Sequence, residues 1–352
     1  MTKRSSNHMF NSFGKKPTGE RLSRIQQSPN YRDGKFQNRQ HTPQIATDKS
    51  MIRLLYEFLF QKVKDIKPAT PLPFVRTDLK QLPAAAELLI WIGHSSLYIQ
   101  TNGKKIMVDP VLLSASPVSF MNKPFEATNG YVPADIPDLD YLILTHDHWD
   151  HLDYQTVRAL KDRIKQVVCP LGVGAHLEHW GFDPARIAEL DWHDQLALDG
   201  GIRLTALPAR HFSGRGLNGN KTLWTAYMLQ SRSGNIFICG DTGYDTHFQE
   251  IKQQFGTIDF AIMENGQYHE DWAYIHMLPT DLEKAIKELA PKKVMTVHHS
   301  KFALGRHAWY EPLDNIARIA AENGFPLITP QMGEVVSLDD PQQTFSPWWK
   351  PR

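Results

Sequence analysis

The stretch THDHWDH, residues 145–151, stands directly behind the apolar run YLIL and constrains the fold more than any other feature of the chain. His146, His148, Asp150 and His151 place four metal-ligating side chains within six residues. A loop of this kind at the end of a buried strand is where a rigid scaffold carries a functional site. Alternation along an extended segment puts His146, His148 and Asp150 on one side, and a turn at Asp150 swings His151 round to join them. Imidazole with carboxylate suits zinc, and with more oxygen donors iron or manganese. Only Cys169 and Cys239 are present, each inside an apolar run, so neither a thiolate zinc site nor a disulfide framework is available.

Four donors in one loop do not complete a site for two metals. Three further donors follow strand-like runs in the same way: His211 after RLTALPAR, Asp241 after NIFICG and His298 after KVMTV. A centre assembled at several strand ends needs donors placed like this. Fourteen of the sixteen histidines fall between His94 and His307, so the chemistry is concentrated in one part of the chain.

The scaffold is legible from residue 88 onward. LLIWIG, SLYIQ, KIMVD, YLILTH, QVVCP, IRLTALPA, TLWTAYMLQ, NIFICGD, IDFAIME and KVMTVHH each have strand length and β-branched or aromatic content. Helical patterns lie near 154–165, 280–290 and 311–323, and Thr280 precedes Glu283 at capping-box spacing. The first three runs have no helix between them and later ones alternate with helices. That mixture predicts an α/β (α+β) protein with two stacked mixed sheets flanked by helices, rather than one doubly wound sheet. No internal repeat is apparent.

Residues 88–352 are therefore the expected catalytic domain. Before it, residues 51–87 read as an amphipathic helix, MIRLLYEFLFQKVKDI at 51–66, and a proline-rich linker. The helix either packs on the main domain or lies on a membrane, because Leu54, Leu55, Phe58, Leu59 and Phe60 make one apolar face. Residues 1–50 hold ten basic and three acidic side chains and predict an extended or disordered arm, solvated or touching an anionic surface. The whole chain has 39 basic and 38 acidic residues, which leaves 29 and 35 for the remainder. A net-acidic domain without a basic stripe argues against nucleic acid as a partner. No apolar signal core and no bilayer-length apolar run is visible, so a cytoplasmic protein is expected, with peripheral contact at the inner membrane surface as the variant.

The pattern His-x-His-x-Asp-His resembles the hallmark of the metallo-β-lactamase fold, an αββα sandwich, and the likeness spans about residues 88–336. It implies that His146, His148 and His211 hold one metal, that Asp150, His151 and His298 hold a second, and that Asp241 bridges them. WIGHSSLYI, VDPVL, THDHWDHLD, PARHFSGRG, GDTGYD and VHHSKFAL, in this order, resemble the branch containing N-acylphosphatidylethanolamine-hydrolysing phospholipase D. That branch implies His298, not His299, as the last ligand.

The resemblance implies a dinuclear-metal hydrolase with two divalent ions, zinc first and iron or manganese as alternatives. It would cleave a phosphodiester with a metal-bridging hydroxide, on a small-molecule or phospholipid substrate. The alternatives are a cytosolic lactonase or sugar-phosphate hydrolase, and a metal-bound scaffold without turnover. Oxygen-reducing di-iron relatives usually have Glu where this chain has His148, which disfavours that chemistry. The candidate catalytic residues are Asp150, as a ligand rather than a free base, and His276, as proton donor or oxyanion contact. His94 and His307 are weaker candidates for the mouth of the site. Asp147 is expected either to orient a ligand histidine or to be solvated. Trp149, Phe212, Tyr244, Tyr268, Trp272 and Trp309 are candidates for an apolar pocket or for core packing.

Overall fold

The computed structural model describes residues 11–60, 62–117, 122–126, 128, 130–216 and 218–350. Two seven-stranded sheets face each other. The first contains β3 (Leu88–Gly93), β4 (Ser96–Thr101), β5 (Lys104–Val108), β6 (Leu139–Ile143), β7 (Ile164–Pro170) and β8 (Ile187–Leu190), with β16 (Val335–Ser337) beside β3. The second contains β9 (Gln195–Leu198), β10 (Ile202–Leu207), β11 (Ala226–Ser231), β12 (Gly234–Ile238), β13 (Phe260–Glu264), β14 (Val294–Val297) and β15 (Leu327–Ile328). In each sheet four antiparallel strands lead into parallel ones, with β5 and β12 at the change. The two halves thus share one plan, a repeat of architecture that side-chain identity does not display.

Period-two alternation explains the layering. In β3, Leu89 and Trp91 face the other sheet, as do Ile236 and Ile238 of β12, and these residues build the central core. The alternate residues Leu88, Ile90 and Ile92 face outward, where α3 (Tyr154–Leu160) and α4 (Gly174–His179) cover them with Val157, Leu160 and Leu177. On the far side Phe237 and Met263 meet α5 (His247–Phe255), α6 (Pro279–Leu289) and α7 (Glu311–Asn323) through Phe248, Leu282, Ile286 and Ile316. The order is helix, sheet, sheet, helix. A hydrogen bond from the buried Tyr227 hydroxyl to the Leu144 carbonyl, 2.9 Å, ties the sheets together inside.

Three local expectations need correction. The helix near 154 ends at Leu160 and passes into a 3-10 turn, and α6 starts with Pro279 at its first position behind Leu278. Thr280 therefore lies inside the first turn, and no side-chain cap forms there. The amphipathic helix, α2 (Met51–Phe60), does not extend to residue 66: residues 62–66 are not helical.

The largest correction concerns the first fifty residues. Residues 1–10 lie outside the described part, but 11–50 form neither an extended nor a disordered arm. They contain α1 (Gly19–Gln26) and a hairpin of β1 (Tyr31–Arg32) and β2 (Lys35–Phe36). Ile25 and Phe36 are fully buried with Leu171, Trp192, Leu223 and Trp224 in a cluster of their own. Arg21 and Arg24 converge on the buried carboxylate of Glu189. Arg39 pairs likewise with Glu250 and Lys49 with Asp271, so these four basic residues are partners of acidic residues on the main domain, which composition alone cannot distinguish from a charged tail.

Candidate metal centre

All seven predicted ligands meet at one edge of the sandwich, where strands end. His146, His148, Asp150 and His151 follow β6, His211 follows β10, Asp241 follows β12 and His298 follows β14. His94 sits in the turn from β3 to β4, and Asp109 follows β5. His94, Asp109 and His298 have φ of 53°, 42° and 72°. Non-glycine residues in that region cost roughly 1–3 kcal/mol each and persist where the surroundings over-determine them, commonly at functional sites.

Three ring nitrogens form the first set. His146 Nε2 lies 2.9 Å and His211 Nε2 3.2 Å from His148 Nδ1. Their protons can be located from what lies behind them. The Thr145 hydroxyl donates to Asp109 Oδ2 at 2.5 Å, so it accepts from His146 Nδ1–H at 3.0 Å. His211 Nδ1–H donates to the Ile275 carbonyl at 2.8 Å. Both neutral rings therefore present bare Nε2 lone pairs to the same point. Burial first, and then neighbouring histidines, hold both pKa values well below the ordinary histidine value, so protons do not fill that point. A cation does.

The second set repeats the logic. His151 Nδ1–H donates to Asp109 Oδ2 at 2.8 Å, leaving its Nε2 3.1 Å from Asp241 Oδ2. His298 Nδ1 faces the Gly266 carbonyl at 3.3 Å, leaving its Nε2 3.2 Å from both Asp150 Oδ2 and Asp241 Oδ2. Asp241 Oδ2 is also 3.8 Å from His146 and from His211, so one carboxylate oxygen stands between the two sets. Edges of about 3.3 Å are what a tetrahedron with metal–nitrogen bonds of about 2.0–2.1 Å requires. Burial opposes charge on Asp150 and Asp241, but His151 and His298 outweigh it and hold both carboxyls well below their usual range. Burial also opposes charge on His151, yet Asp241 and Asp150 raise its pKa well above the ordinary value. His148 Nε2, His151 Nε2 and Asp241 Oδ1 are buried without a hydrogen-bond partner. The donor set fits a pair of divalent cations.

Several supporting residues escaped the sequence. Asp109, in the VDPVL segment, holds both Thr145 and His151, and its position behind a strand was the available signal. Glu264 ends β13 inside an apolar run; its Oε1 accepts from His276 Nδ1 at 2.7 Å and its Oε2 from the Thr242 amide. Asn38 comes from the amino-terminal segment, which carried no site signal at all. Asp147 orients no ligand histidine and is not solvated, contrary to both expectations. It is buried and holds His176 Nε2 at 3.1 Å, Thr222 Oγ1 at 2.8 Å and the Gly214 amide at 2.7 Å. It therefore braces the histidine loop against His176, Gly214 and Thr222.

A cavity of about 300 Å³ opens over both sets, lined by Gln44, Phe212, Trp272, Ile275, His276 and Leu304 together with His148, Asp150, Asp241 and His298. Of the six aromatic candidates only Phe212 and Trp272 line it. Trp149 lies under the Arg215 guanidinium, 3.9 Å from its ring centre, and against Phe13. Tyr244 stacks on Phe248, Tyr268 is bonded to Glu311, and Trp309 packs against the central core. His307 accepts from the Gln267 amide at 2.8 Å and takes a structural part behind the mouth.

A profile described as "Beta-lactamase superfamily domain" matches residues 104–299. An uncharacterized protein of Mycobacterium tuberculosis is 32% identical over 330 residues, 92% of this chain and 88% of that one. N-acyl-phosphatidylethanolamine-hydrolyzing phospholipase D 1 of Caenorhabditis elegans is 28% identical over 272 residues, 71% of this chain and 75% of that one. Among solved structures, the diiron β-hydroxylase CmlA of Streptomyces venezuelae superposes with a TM-score of 0.57 at 18% identity. That match covers 73% of this chain and 55% of CmlA, so this chain spans about half its length, and the likeness speaks for the fold alone. Taken with two stacked sheets and clustered histidines at their rim, these matches place the chain in the β-lactamase superfamily, as a metal-dependent hydrolase of the metallo-β-lactamase fold.

Proposed function

We propose that the protein is a dinuclear phosphodiesterase of phospholipase D type, acting on an N-acylphosphatidylethanolamine or a closely related phospholipid. The observation that carries the reading is its similarity, over 71% of the chain, to an enzyme named for that reaction. Zinc is the proposed metal, since five imidazoles and two carboxylates leave few oxygen donors. When bound, the ions supply an activated water near neutral pH and neutralise charge on a phosphoryl oxygen.

The chain's own residues do the rest. Phe212, Trp272, Ile275 and Leu304 give the mouth apolar walls that exclude bulk water and suit an acyl-bearing substrate. His276 is aimed into that mouth by Glu264. Burial opposes its charge, but Glu264 raises its pKa, so the ring keeps a proton to give to the departing alkoxide. Asp150 acts as a ligand rather than a base: its Oδ2 lies 2.9 Å from His94 Nε2 and 3.2 Å from His298 Nε2, and the neighbouring histidines outweigh burial to hold its carboxyl well below the usual range.

The same reading extends to a lipid surface. Ile52, Tyr56 and Phe60, 82%, 63% and 66% exposed, follow one another at four-residue spacing along α2. Lys62, Lys64 and Lys67 are exposed just beyond it. Lys49, at the foot of the helix, is bound to Asp271 beside the mouth. An apolar stripe flanked by lysines suits an anionic bilayer. No helix among the described residues is long and apolar enough to cross a membrane. Purified, metal-loaded protein should release phosphatidic acid from N-acylphosphatidylethanolamine in mixed micelles. Turnover of small lactones with none of the lipid would refute the proposal in favour of a lactonase.

A further inference from the structure

His94 is the one ring at the second set whose part the resemblance leaves open. Its Nε2 is 2.9 Å from Asp150 Oδ2, and its ring centre is 4.4 Å from that of His298. Distance alone groups it with Asp150, His151 and His298 as a fourth donor. The hydrogen bonds argue otherwise. Metal-ligating histidines almost always donate their remote ring N–H to a partner. His146, His151, His211 and His298 each have one, in Thr145, Asp109, Ile275 and Gly266. His148 is the exception, its Nε2 buried without a partner close to Phe212 at the mouth. His94 is fully buried, walled by Phe302 at 5.2 Å, and its Nδ1 has no partner. As a ligand through Nε2, it would leave an N–H stranded beside a phenyl ring.

The opposite tautomer removes the difficulty. With a cation bound, His151 and His298 would both keep their protons on Nδ1 and turn bare Nε2 atoms inward. Among these three rings His94 is then the one able to point an N–H at Asp150 Oδ2. We propose that His94 is a positioning residue: its Nε2–H donates to Asp150 Oδ2 and fixes the carboxylate for the second metal, without touching that metal. The backbone holds the ring in place. The His94 carbonyl accepts from the Trp91 indole at 2.7 Å and from the His298 amide at 3.0 Å, so the orienting residue and a ligand share one hinge. The set then has His151, His298, Asp150 and the shared Asp241, matching the three histidines and Asp241 of the first.

The inference rests on the metal-centre reading, and one titration separates the two. Zinc binding to the full chain is followed against a chromophoric chelator for wild type, His94→Ala and His94→Gln. The Gln amide nitrogen replaces Nε2–H as a donor and is a poor zinc ligand. Wild type should bind two ions. His94→Ala should weaken the second by about 10–100-fold, the usual cost of losing a partner behind a ligand, and His94→Gln should restore it. A Gln variant as weak as Ala would make His94 a ligand, and an Ala variant as tight as wild type would remove its role; either overturns the proposal. Wild type that binds no zinc would overturn the metal centre itself. If the Ala variant does not fold, nitrogen-15 NMR of the zinc-loaded wild type decides. A proton on His94 Nε2 and a bare Nδ1 are expected, and a zinc-bound Nε2 would refute the assignment.

Discussion

Asn38 grips His211 by its backbone from both sides: its Nδ2 donates to the His211 carbonyl at 2.7 Å and its Oδ1 accepts the His211 amide at 3.0 Å. Two residues 173 positions apart thus pair as neighbouring strands do, and one of them belongs to the first set of candidate ligands. The Trp224 indole also reaches Asn38 Oδ1, at 3.2 Å. Removing the amide leaves two buried backbone groups unpaired, at about 1–3 kcal/mol each. Asn38→Ala should therefore lower the thermal midpoint and weaken the first metal by about 10–100-fold. Calorimetry and chelator competition measure the two effects, and unchanged metal affinity would separate the amino-terminal segment from the site.

The Glu264–His276 pair should govern the rate rather than the binding of metal. His276→Ala is expected to lower kcat by about 10²–10⁴-fold, the usual scale for a general acid, with metal content retained. Glu264→Gln should act in the same direction, more weakly, because it removes the charge that keeps the ring protonated. Steady-state kinetics with metal analysis of the same samples tests this. Loss of an ion on His276→Ala would instead make that ring a ligand.

Metal uptake should release protons. In the metal-free protein Asp241 and Asp150 raise the His151 pKa against burial, so its imidazolium is present at neutral pH. Its contribution to the stability of the metal-free fold is complete below about 6.5 and is lost as pH rises through the raised value. Binding displaces that proton, so apparent affinity should climb with pH through neutrality. Calorimetric titration in two buffers of different ionisation enthalpy should give different heats. Identical heats would mean that His151 is already neutral.

Lys301 is buried with no carboxylate partner in hydrogen-bond contact; its ammonium donates to the Val111 carbonyl at 2.8 Å and faces Ile92 at 3.4 Å. Burial pushes its pKa from 10.5 down to about 8. Between those values the unfolded chain binds a proton that the folded chain does not, so this group makes stability rise with pH across that window. Denaturant unfolding from pH 8 to 10.5 should show wild type gaining on Lys301→Met. Parallel curves would place the charge in a better-solvated setting than the structure gives.

The centre of the site was legible because its chemistry is local in sequence or anchored to strand ends. His146, His148, Asp150 and His151 share one loop, and His211, Asp241 and His298 each stand just past an apolar run. The ten predicted strands correspond to β3 to β7 and β10 to β14. Besides the hairpin β1–β2, the strands not foreseen are β8, β9, β15 and β16, the outer edges of the two large sheets. They are two to four residues long and only partly buried, so neither length nor alternation marks them. What the sequence hid was tertiary. Glu264 looked like the polar end of a strand until His276 was placed beside it, and Asn38 looked like part of a polar tail. Asp147 sits among ligands in sequence yet faces away from them, because His176, Thr222 and Gly214 offer better partners.

The account depends on two cations held between buried rings and carboxylates. Metal content per chain, measured by mass spectrometry on purified wild type and on His148→Ala and Asp241→Ala, tests it most directly. Two divalent ions in wild type are predicted, with at least one lost in each variant and hydrolysis abolished in both. Wild type that hydrolyses substrate with no bound metal, or variants that keep two ions and full activity, would contradict it.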